Sequence, residues 1–361
     1  MKADLDTIKA EYAANFLKDY HNDPQSLASQ TILIDRSDWG LLELKGQDRL
    51  RFLHNQTSNA IDRLKPGQGC ETIFLNSTGR TLDFVTVYAG DDSLLILVSP
   101  QRRQFLLELI DRYIFPFDKV EISDLTDNFG IVTLIGTESG QYLQKIAIPE
   151  QILTGVQHSH YLLSDPPLRV AVGTGLDLPG YTLIVAAAEA GPLWENLIKN
   201  GVTPADEQVW EYLRIHQGRP AVDRELTEDY NPLEAGLWRA IVFDKGCYIG
   251  QETIARLNTY KGVKQRLWGI KLSQPVPSNT PIILEAQKVG LLTSVLEDFG
   301  LGYVKTKAGG EGLKVQIGEA TGELIPLPFL SHEYPFQWTV NSNQWTERRL
   351  GWSMKPNARM G

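Results

Sequence analysis

The sequence predicts an α+β protein, or a mixed α/β body, followed by a small antiparallel β-barrel or sandwich. Three observations predict it. Several short segments rich in β-branched and apolar residues occur within residues 31–98, and similar segments follow at 129–136 and 181–187. Helical apolar stripes separate several of these segments, which favours packed layers of helices and strands. After Gly262 the helical pattern ends, and short strand-like segments alternate with turn residues.

An amphipathic helix is predicted ahead of this strand-rich region. Residues 4–20 space their apolar side chains like one face of a helix, which we expect to pack against the body. The polar stretch HNDPQSLASQ, residues 21–30, contains the residue types of a loop. Neither segment contains residues that indicate chemistry.

The body begins with five predicted strands: TILID, WGLLELK, ETIFLN, TLDFVTVYA and SLLILV. Between the second and third, residues 47–64 carry a helical stripe, which KPGQG (65–69) ends. Ser99 and Pro100 supply a cap and a first-position proline, so we predict that a helix begins there. FGIVTLIG (129–136) and YTLIVAA (181–187) are further predicted strands.

The clearest helix is predicted over residues 203–218. Thr203 can cap it, Pro204 takes its first position, and the acidic residues that follow favour the positive end of a helix. Gly218 can close its C-terminus. His216 lies on the face of Val209 and Leu213, where a histidine is more often a core residue than a catalytic one.

The C-terminal part is predicted from five short strands: RLWGIKL, PIILEA, KVGLLTSVL, LGYVK and GLKVQIG. We expect an antiparallel barrel or sandwich. The following stretch, residues 327–347, is rich in Pro, Ser, Asn and aromatic residues, which is typical of either an appendage of the barrel or a poorly ordered tail.

Composition limits the class of protein. The chain has 361 residues, of which 42% are hydrophobic, enough for two or three domains. No apolar run could span a membrane, and no secretory signal is visible, so we expect a cytoplasmic location or an organelle interior and no membrane partner. The net charge of −9 argues against direct binding of nucleic acid.

The two cysteines, Cys70 and Cys247, are too few for a disulfide scaffold or a four-cysteine metal site. His158 and His160 lie two residues apart in QHSHY and could share one face of a strand. A polar surface loop explains them as well, so we assign no metal site.

Cys247 lies in the segment DKGCYIGQE, residues 244–252. Its glycines allow tight turns and close approach to a ligand, and Lys245 favours a thiolate by charge. We infer a reactive, accessible cysteine, with a small buried hydrophobic residue as the alternative. Nucleophilic catalysis with a histidine is conceivable, but no feature of the sequence places a histidine nearby.

The region around Cys247 is basic within an acidic chain. Between residues 245 and 271 the one acid is Glu252, so this stretch favours a small anionic ligand or a partner surface, with a solvated charged face as the alternative. Its six basic residues are Lys245, Arg256, Lys261, Lys264, Arg266 and Lys271.

Asp83 is the candidate carboxylate of the predicted strand TLDFVTVY. It shares a strand face with Val85 and Val87, where a carboxylate needs a partner. Burial would raise its pKa and suit it to binding a ligand or handling a proton. If the strand begins later, Asp83 instead caps a solvent-facing turn.

Three stretches together resemble the YgfZ-type folate-binding proteins, which are relatives of the aminomethyltransferase (T-protein) of glycine cleavage. They are LNSTGRTLDFVTVY (75–88), NPLEAGLWRAIVFDKGCYIGQETIAR (231–256) and KGVKQRLWGIKL (261–272). The resemblance spans roughly residues 30–320. KGCYIGQE is specific to the YgfZ branch, whereas aminomethyltransferases lack the cysteine–tyrosine pair.

The resemblance implies an aminomethyltransferase-like ring of modules around a folate pocket, with a C-terminal antiparallel β-barrel. We therefore divide the chain into an N-terminal helix and linker (1–30), a folate-binding α+β body of two interwoven modules (31–260), and a barrel with a tail (261–361). The implied ligand is tetrahydrofolate or a derivative. The implied role is assembly or repair of iron–sulfur clusters, with client or assembly proteins as partners, including radical-SAM enzymes that modify tRNA.

The resemblance also implies site residues. Cys247 is the functional position, and the motif residues around it are Lys245, Gly246, Tyr248, Gly250, Gln251 and Glu252. We predict that Asp83 contacts the pterin, since a carboxylate can bond its amino and ring N–H groups. Weaker candidates for the folate carboxylates, or for pocket shape, are Arg214, Arg256, Lys264 and Arg266.

Two departures separate this chain from the aminomethyltransferases it resembles. Asp83 matches the first of their paired aspartates, and Phe84 replaces the second. Their Arg-Leu-Glu signature, a folate contact, is here Arg214-Ile215-His216. We therefore expect no independent turnover of the usual kind. The alternatives are a folate-dependent aminomethyltransferase or other one-carbon transferase, and a non-catalytic scaffold.

Overall fold

Two open β-sheets and a closed β-barrel organise the chain. The computed structural model describes residues 30–164 and 167–334. The predicted N-terminal helix and residues 335–347 of the predicted tail lie outside them. The α+β class is confirmed, and the C-terminal strands form a barrel rather than a sandwich. None of the helices in the described part is both long and apolar enough to cross a membrane.

The elements of the body follow one another along the chain. They are β1 (Ile32–Asp35), β2 (Gly40–Lys45), α1 (Arg49–Gln56), β3 (Gly69–Leu75), β4 (Thr81–Ala89), β5 (Ser93–Val98), α2 (Arg103–Arg112), β6 (Glu121–Asp124), β7 (Phe129–Ile135), α3 (Ser139–Lys145), α4 (Glu150–Leu153), β8 (His160–Ser164), β9 (Pro167–Val172), β10 (Gly180–Ala186), α5 (Ala187–Lys199), β11 (Thr203–Ala205), α6 (Glu207–Gln217) and α7 (Gln251–Thr259). The barrel strands are β12 (Gln265–Leu272), β13 (Pro281–Leu284), β14 (Gln287–Leu296), β15 (Phe299–Lys305), β16 (Lys314–Ile317) and β17 (Ala320–Ile325).

The two sheets are interwoven along the chain. The first has the order β11-β1-β7-β10-β9-β8, and the second has the order β3-β4-β5-β2-β6. The chain leaves the first sheet after β1, builds the second, and returns at β7. Only the β1–β11 pair is parallel among the described strands. The barrel closes in the order β12-β15-β14-β13-β16-β17.

The first sheet buries both of its faces. Leu33 points to the face covered by α5, where it packs with Trp194. Its neighbour Ile34 points to the opposite face and packs with Val209 and Leu213 of α6. This alternation is the two-residue period of a strand. Each such buried side chain contributes roughly 1.5–3 kcal/mol, which explains the near-continuous apolar strands.

A third core joins the second sheet to the barrel. Phe84 of β4, Ile254 of α7 and Leu301 of β15 belong to one buried cluster, together with Phe329 after the barrel. The segment between α6 and α7, which contains the cysteine motif, therefore lies between the sheet and the barrel.

Two predicted helix starts are wrong. α2 begins at Arg103 rather than at Ser99, because Gln101 has a positive φ of 65°, which a helix cannot contain. The predicted helix at residue 203 begins with β11, which pairs with β1. The cap of α6 is Asp206, whose Oδ1 accepts the N–H groups of residues 208 and 209.

The helix predicted over residues 47–64 is also too long. α1 ends at Gln56, since Thr57 is extended and pairs with Phe74 of β3. A short 3-10 helix, Ile61–Arg63, completes the connection. The predicted closure of α6 is confirmed, because Gly218 adopts the left-handed conformation at its C-terminus.

The stability of the fold should depend on the protonation of His332. Its Nε2–H donates to the Leu267 carbonyl at 2.8 Å, and burial lowers its pKa from 6.5 to about 4. The unfolded chain therefore binds this proton at a higher pH than the folded chain. The stability that neutral His332 contributes above pH 6.5 is lost as the pH falls toward 4.

His332→Gln retains an N–H donor but removes this titration. We expect its free energy of unfolding, measured by urea titration, to fall less steeply than that of the wild type across this pH window. Equal pH dependence in the two proteins would show that His332 does not titrate in this way.

Candidate functional site

The cysteine motif presents one side chain outward and buries its neighbour. Cys247 is exposed, whereas Lys245 points inward. The Lys245 Nζ donates to the carbonyl oxygens of His54, Thr57 and Asn59 at 2.6, 2.6 and 2.7 Å. The last carbonyls of a helix have no partners within the helix, and one ammonium supplies donors at the end of α1. Burial lowers the pKa of Lys245 to about 8.

Asn59 connects this anchored loop to β3. Its carbonyl accepts from Lys245, and its Nδ2 donates to the Glu71 carbonyl at 2.7 Å. The preceding residue, Ser58, donates its hydroxyl to the Ala240 carbonyl at 2.7 Å. Residues 57–59 therefore form a junction that binds the cysteine motif, the segment before it, and β3.

The two most characteristic sequence motifs contact each other through glycines. Gly250 has a φ of 81°, and a Cβ there would lie 2.7 Å from the Asn76 carbonyl oxygen. Gly79 has a φ of 76°, and a Cβ there would lie 2.9 Å from the Cβ of Thr253. Both positions need glycine for conformation and for space. The turn NSTGR thus seats the start of α7 next to the cysteine.

A histidine lies beside the motif, although no feature of the sequence places one there. The Nε2 of His54 is 3.7 Å from the position that a Cβ would take on Gly246, the residue before Cys247. Its Nδ1 is 2.7 Å from Asp62. Burial and, after it, the charge of Lys245 lower the pKa of His54. His54 and Asp62 lie 193 and 185 positions before Cys247 in the sequence. No local pattern could therefore reveal them.

The two cysteines differ in environment. Cys70 lies in β3, and burial raises the pKa of its thiol to about 12, which leaves it as an unreactive thiol. Cys247 is exposed on its loop. Of the two, Cys247 is therefore the accessible thiol.

Asp83 is enclosed. It has no exposed surface, and its two carboxylate oxygens accept the backbone N–H groups of Phe84 and Ser99 at 2.8 and 3.1 Å. Burial raises the pKa of Asp83. The buried strand position predicted from the sequence is therefore present, but no surface of Asp83 is open to a ligand in this structure.

A cluster of charged side chains that sequence reasoning missed lies around Glu71. We call it the Glu71 cluster. The Glu71 carboxylate lies 3.0 Å from Arg239, 3.6 Å from Arg219 and 3.9 Å from His158. Arg239 also lies 3.6 Å from Asp177. Burial lowers the pKa of His158.

Aromatic faces adjoin the Glu71 cluster. The Arg239 guanidinium is 3.6 Å from the ring centre of Phe329, and that of Arg219 is 4.7 Å from Phe84. Arg219 is buried, whereas the side chain of Arg239 is 36% exposed, so the cluster has one open side. Planar cations, aromatic rings and a carboxylate together suit a flat, polar ligand that carries carboxylates.

The predicted basic residues do not gather at one point. Arg214 is 2% exposed, and its guanidinium donates to Glu211, Glu225 and Ser294. It therefore holds α6 to the barrel. Arg256 and Lys264 are exposed.

Three further predicted residues have identified neighbours. Arg266 lies 5.9 Å from the ring of Tyr334. Tyr248 is buried beside Lys245, with the ammonium 4.8 Å from its ring. The Gln251 side chain donates to the Lys245 carbonyl at 3.4 Å. Gly246 and Glu252 are exposed, as is Cys247 between them.

Comparison with known proteins identifies the family. Residues 10–245 match the GCVT N-terminal domain family. The chain belongs to this family. A candidate chloroplastic transferase from Arabidopsis thaliana is 39% identical over 330 residues, which cover 88% of this chain and 76% of that protein. An aminomethyltransferase from Rubrobacter xylanophilus is 27% identical over 317 residues, 84% of each chain.

The fold of this GCVT family member also matches a solved structure. The glycine cleavage system aminomethyltransferase T from Bartonella henselae superposes with a TM-score of 0.75 at 18% identity. The match covers 86% of this chain and 91% of that one. At this identity the likeness concerns the fold, and it confirms the predicted aminomethyltransferase-like architecture.

Removing the Lys245 ammonium should release the cysteine motif. Lys245→Met leaves three carbonyls without their donor, so we expect a loss of about 2–4 kcal/mol in the free energy of unfolding. The matched control is Lys314→Met, at an exposed barrel position. A loss no larger than in the control would contradict the anchoring role.

Proposed function

We propose that this GCVT family member binds tetrahydrofolate, or a derivative of it, and assists the assembly or repair of iron–sulfur clusters through Cys247. The observation that carries this proposal is the fixed, exposed thiol. Lys245 locks its loop to residues 57–59, and Asn59 joins that junction to the strand of Glu71. The iron–sulfur part of the proposal rests on the motif KGCYIGQE, which resembles the YgfZ branch of the family.

The Glu71 cluster fits the proposed ligand. A reduced folate combines a flat pterin with carboxylates. Arg239 would bind a carboxylate or stack on the pterin, Phe329 offers a ring face, and Glu71 would accept pterin N–H groups. When bound, tetrahydrofolate supplies a carrier of one-carbon units.

We propose that the carboxylate that accepts the pterin N–H groups belongs to Glu71 rather than to Asp83. Asp83 has no exposed surface and its oxygens already accept backbone N–H groups. Glu71 shares its carboxylate with the partly exposed Arg239. Asp83 instead has a structural role, since its carboxylate accepts the backbone N–H groups of Phe84 and Ser99.

Two acidic positions of the resembled aminomethyltransferases are occupied here by rings in packed environments. Phe84 lies edge to face with Phe329, with ring centres 5.9 Å apart. His216 is stacked between Tyr212 and Phe299, at 3.9 and 4.4 Å. Neither position supplies the carboxylate that the transferase signature contains. This favours folate binding without aminomethyl transfer.

The second candidate function is a folate-dependent aminomethyltransferase, which the names of several relatives favour. Purified protein supplied with tetrahydrofolate and an aminomethyl donor separates the two. Turnover above that of a protein-free control would establish the transferase. We expect none, for want of the two carboxylates.

Arg239 should contribute directly to folate binding. Arg239→Met removes the charge and planar donors while keeping an apolar side chain, so we expect tetrahydrofolate to bind about tenfold or more weakly in calorimetric titration. Arg112→Met, on the exposed face of α2, is the control. Unchanged affinity in Arg239→Met would place the ligand elsewhere, and absence of saturable binding in the wild type would favour a scaffold.

Cys247 should be required in cells although it is dispensable for folding. Cys247→Ala removes only an exposed thiol, so its free energy of unfolding should stay within about 0.5 kcal/mol of that of the wild type. Iron–sulfur enzyme activity, read as tRNA methylthiolation in cells relying on the variant, should fall several-fold. Cys70→Ala, which removes the partly buried thiol of β3, is the control and should retain that activity. Full activity of Cys247→Ala would remove Cys247 from the mechanism.

A further inference from the structure

Asp177 lies on the open side of the Glu71 cluster. Its Oδ1 is 3.6 Å from the Arg239 Nη1, and its side chain is 48% exposed. Glu71 approaches the same guanidinium more closely, with its Oε2 3.0 Å from the Arg239 Nε. Arg239 is therefore paired with a buried carboxylate at Nε and with an exposed carboxylate at Nη1.

The two ion pairs of Arg239 differ in how easily they exchange. A separation of 3.6 Å is too long for a hydrogen bond, so Asp177 contributes an ion pair only. Ion pairs between partly exposed side chains are weak, because water screens the charges and competes for them. The pair with the buried Glu71 is shorter and better shielded from water. An incoming carboxylate would therefore replace Asp177 at Arg239 before it replaced Glu71.

The orientation of Arg239 directs an incoming carboxylate to the edge where Asp177 lies. The Nε side faces Glu71, and the guanidinium lies 3.6 Å from the ring centre of Phe329. The terminal edge, formed by Nη1 and Nη2, remains for a second bidentate partner. Asp177 lies next to Nη1 of that edge. A ligand carboxylate there would be close to Asp177, and the two negative charges would repel each other.

The fold holds the backbone on both sides of Asp177, which lies in the loop between β9 and β10. The buried Arg219 donates to the Gly175 carbonyl at 2.7 Å. The Thr174 hydroxyl donates to the Leu178 carbonyl at 3.0 Å, so the loop is closed across Asp177. Rotation of the Asp177 side chain, with no movement of this backbone, is enough to break its ion pair.

From these contacts we propose that Asp177 competes with the carboxylate of the ligand for Arg239 and thereby sets the preference of the site for carboxylate-bearing pterins. This inference rests on the proposed folate site. Because the fold holds Asp177 beside Arg239, it competes at a high local concentration. Tetrahydrofolate meets this competition, whereas a reduced pterin without a carboxylate does not. Asp177 therefore narrows the difference in affinity between the two ligands.

The test measures binding of tetrahydrofolate and of tetrahydrobiopterin, a reduced pterin without a carboxylate, to the full chain by calorimetric titration. Asp177→Asn keeps the shape of the side chain and removes its charge, so it should bind tetrahydrofolate about fivefold more tightly than the wild type does. Its affinity for tetrahydrobiopterin should not change. Asp177→Glu keeps the charge and should match the wild type. Asp111→Asn, which removes an exposed carboxylate of α2, is the control and should also match it.

Four outcomes would overturn this inference while the proposed function stands, because in each of them the wild type binds tetrahydrofolate. Weaker binding by Asp177→Asn would make Asp177 a contact of the ligand, and unchanged binding would show that it does not compete. An equal gain for both pterins would indicate a general opening of the site. An equal gain in Asp111→Asn would indicate a bulk effect of charge. Absence of saturable tetrahydrofolate binding to the wild type would overturn both proposals.

Discussion

The ammonium group of Lys245 is the interaction on which the site depends. It is held by three backbone carbonyls at the end of α1, so a charge from the cysteine motif fixes two separate segments of chain. Through Asn59 the same bonds reach β3 and the cluster around Glu71. These bonds fix the position of the exposed Cys247 thiol relative to the Glu71 cluster, although Glu71 lies 176 positions earlier in the sequence.

The alternation of side chains along β4 places Asp83 and Phe84 on opposite faces of the strand. Asp83 points to the layer where its oxygens meet backbone N–H groups, and Phe84 points to the core shared with Phe329. A residue that faces this core adjoins the guanidinium of Arg219. Phe84 therefore contributes a ring to this core. His216 likewise lies stacked between two rings.

Local patterns in the sequence were sufficient for most strands and for the barrel, because each of these depends on residues close together in the chain. Local patterns were insufficient where the same short run of residues is compatible with two different structures. Thr203 and Pro204 suit a helix start, but they equally suit a short edge strand beside β1, and only tertiary pairing decides. The buried Asp83 was foreseen, whereas its lack of an open surface depends on Ser99, which comes from the end of β5. Glu71 lay unnoticed in the segment ETIFLN because its partners come from distant parts of the chain.

A crystal structure of the full chain with bound tetrahydrofolate tests the central claim most directly, since one map shows the ligand, the Glu71 cluster and the thiol together. The account predicts density for the pterin against Arg239 and Phe329, with the sulfur of Cys247 bordering the same opening. Density for the folate at a different surface, or a wall of protein between the pterin and that sulfur, would contradict it.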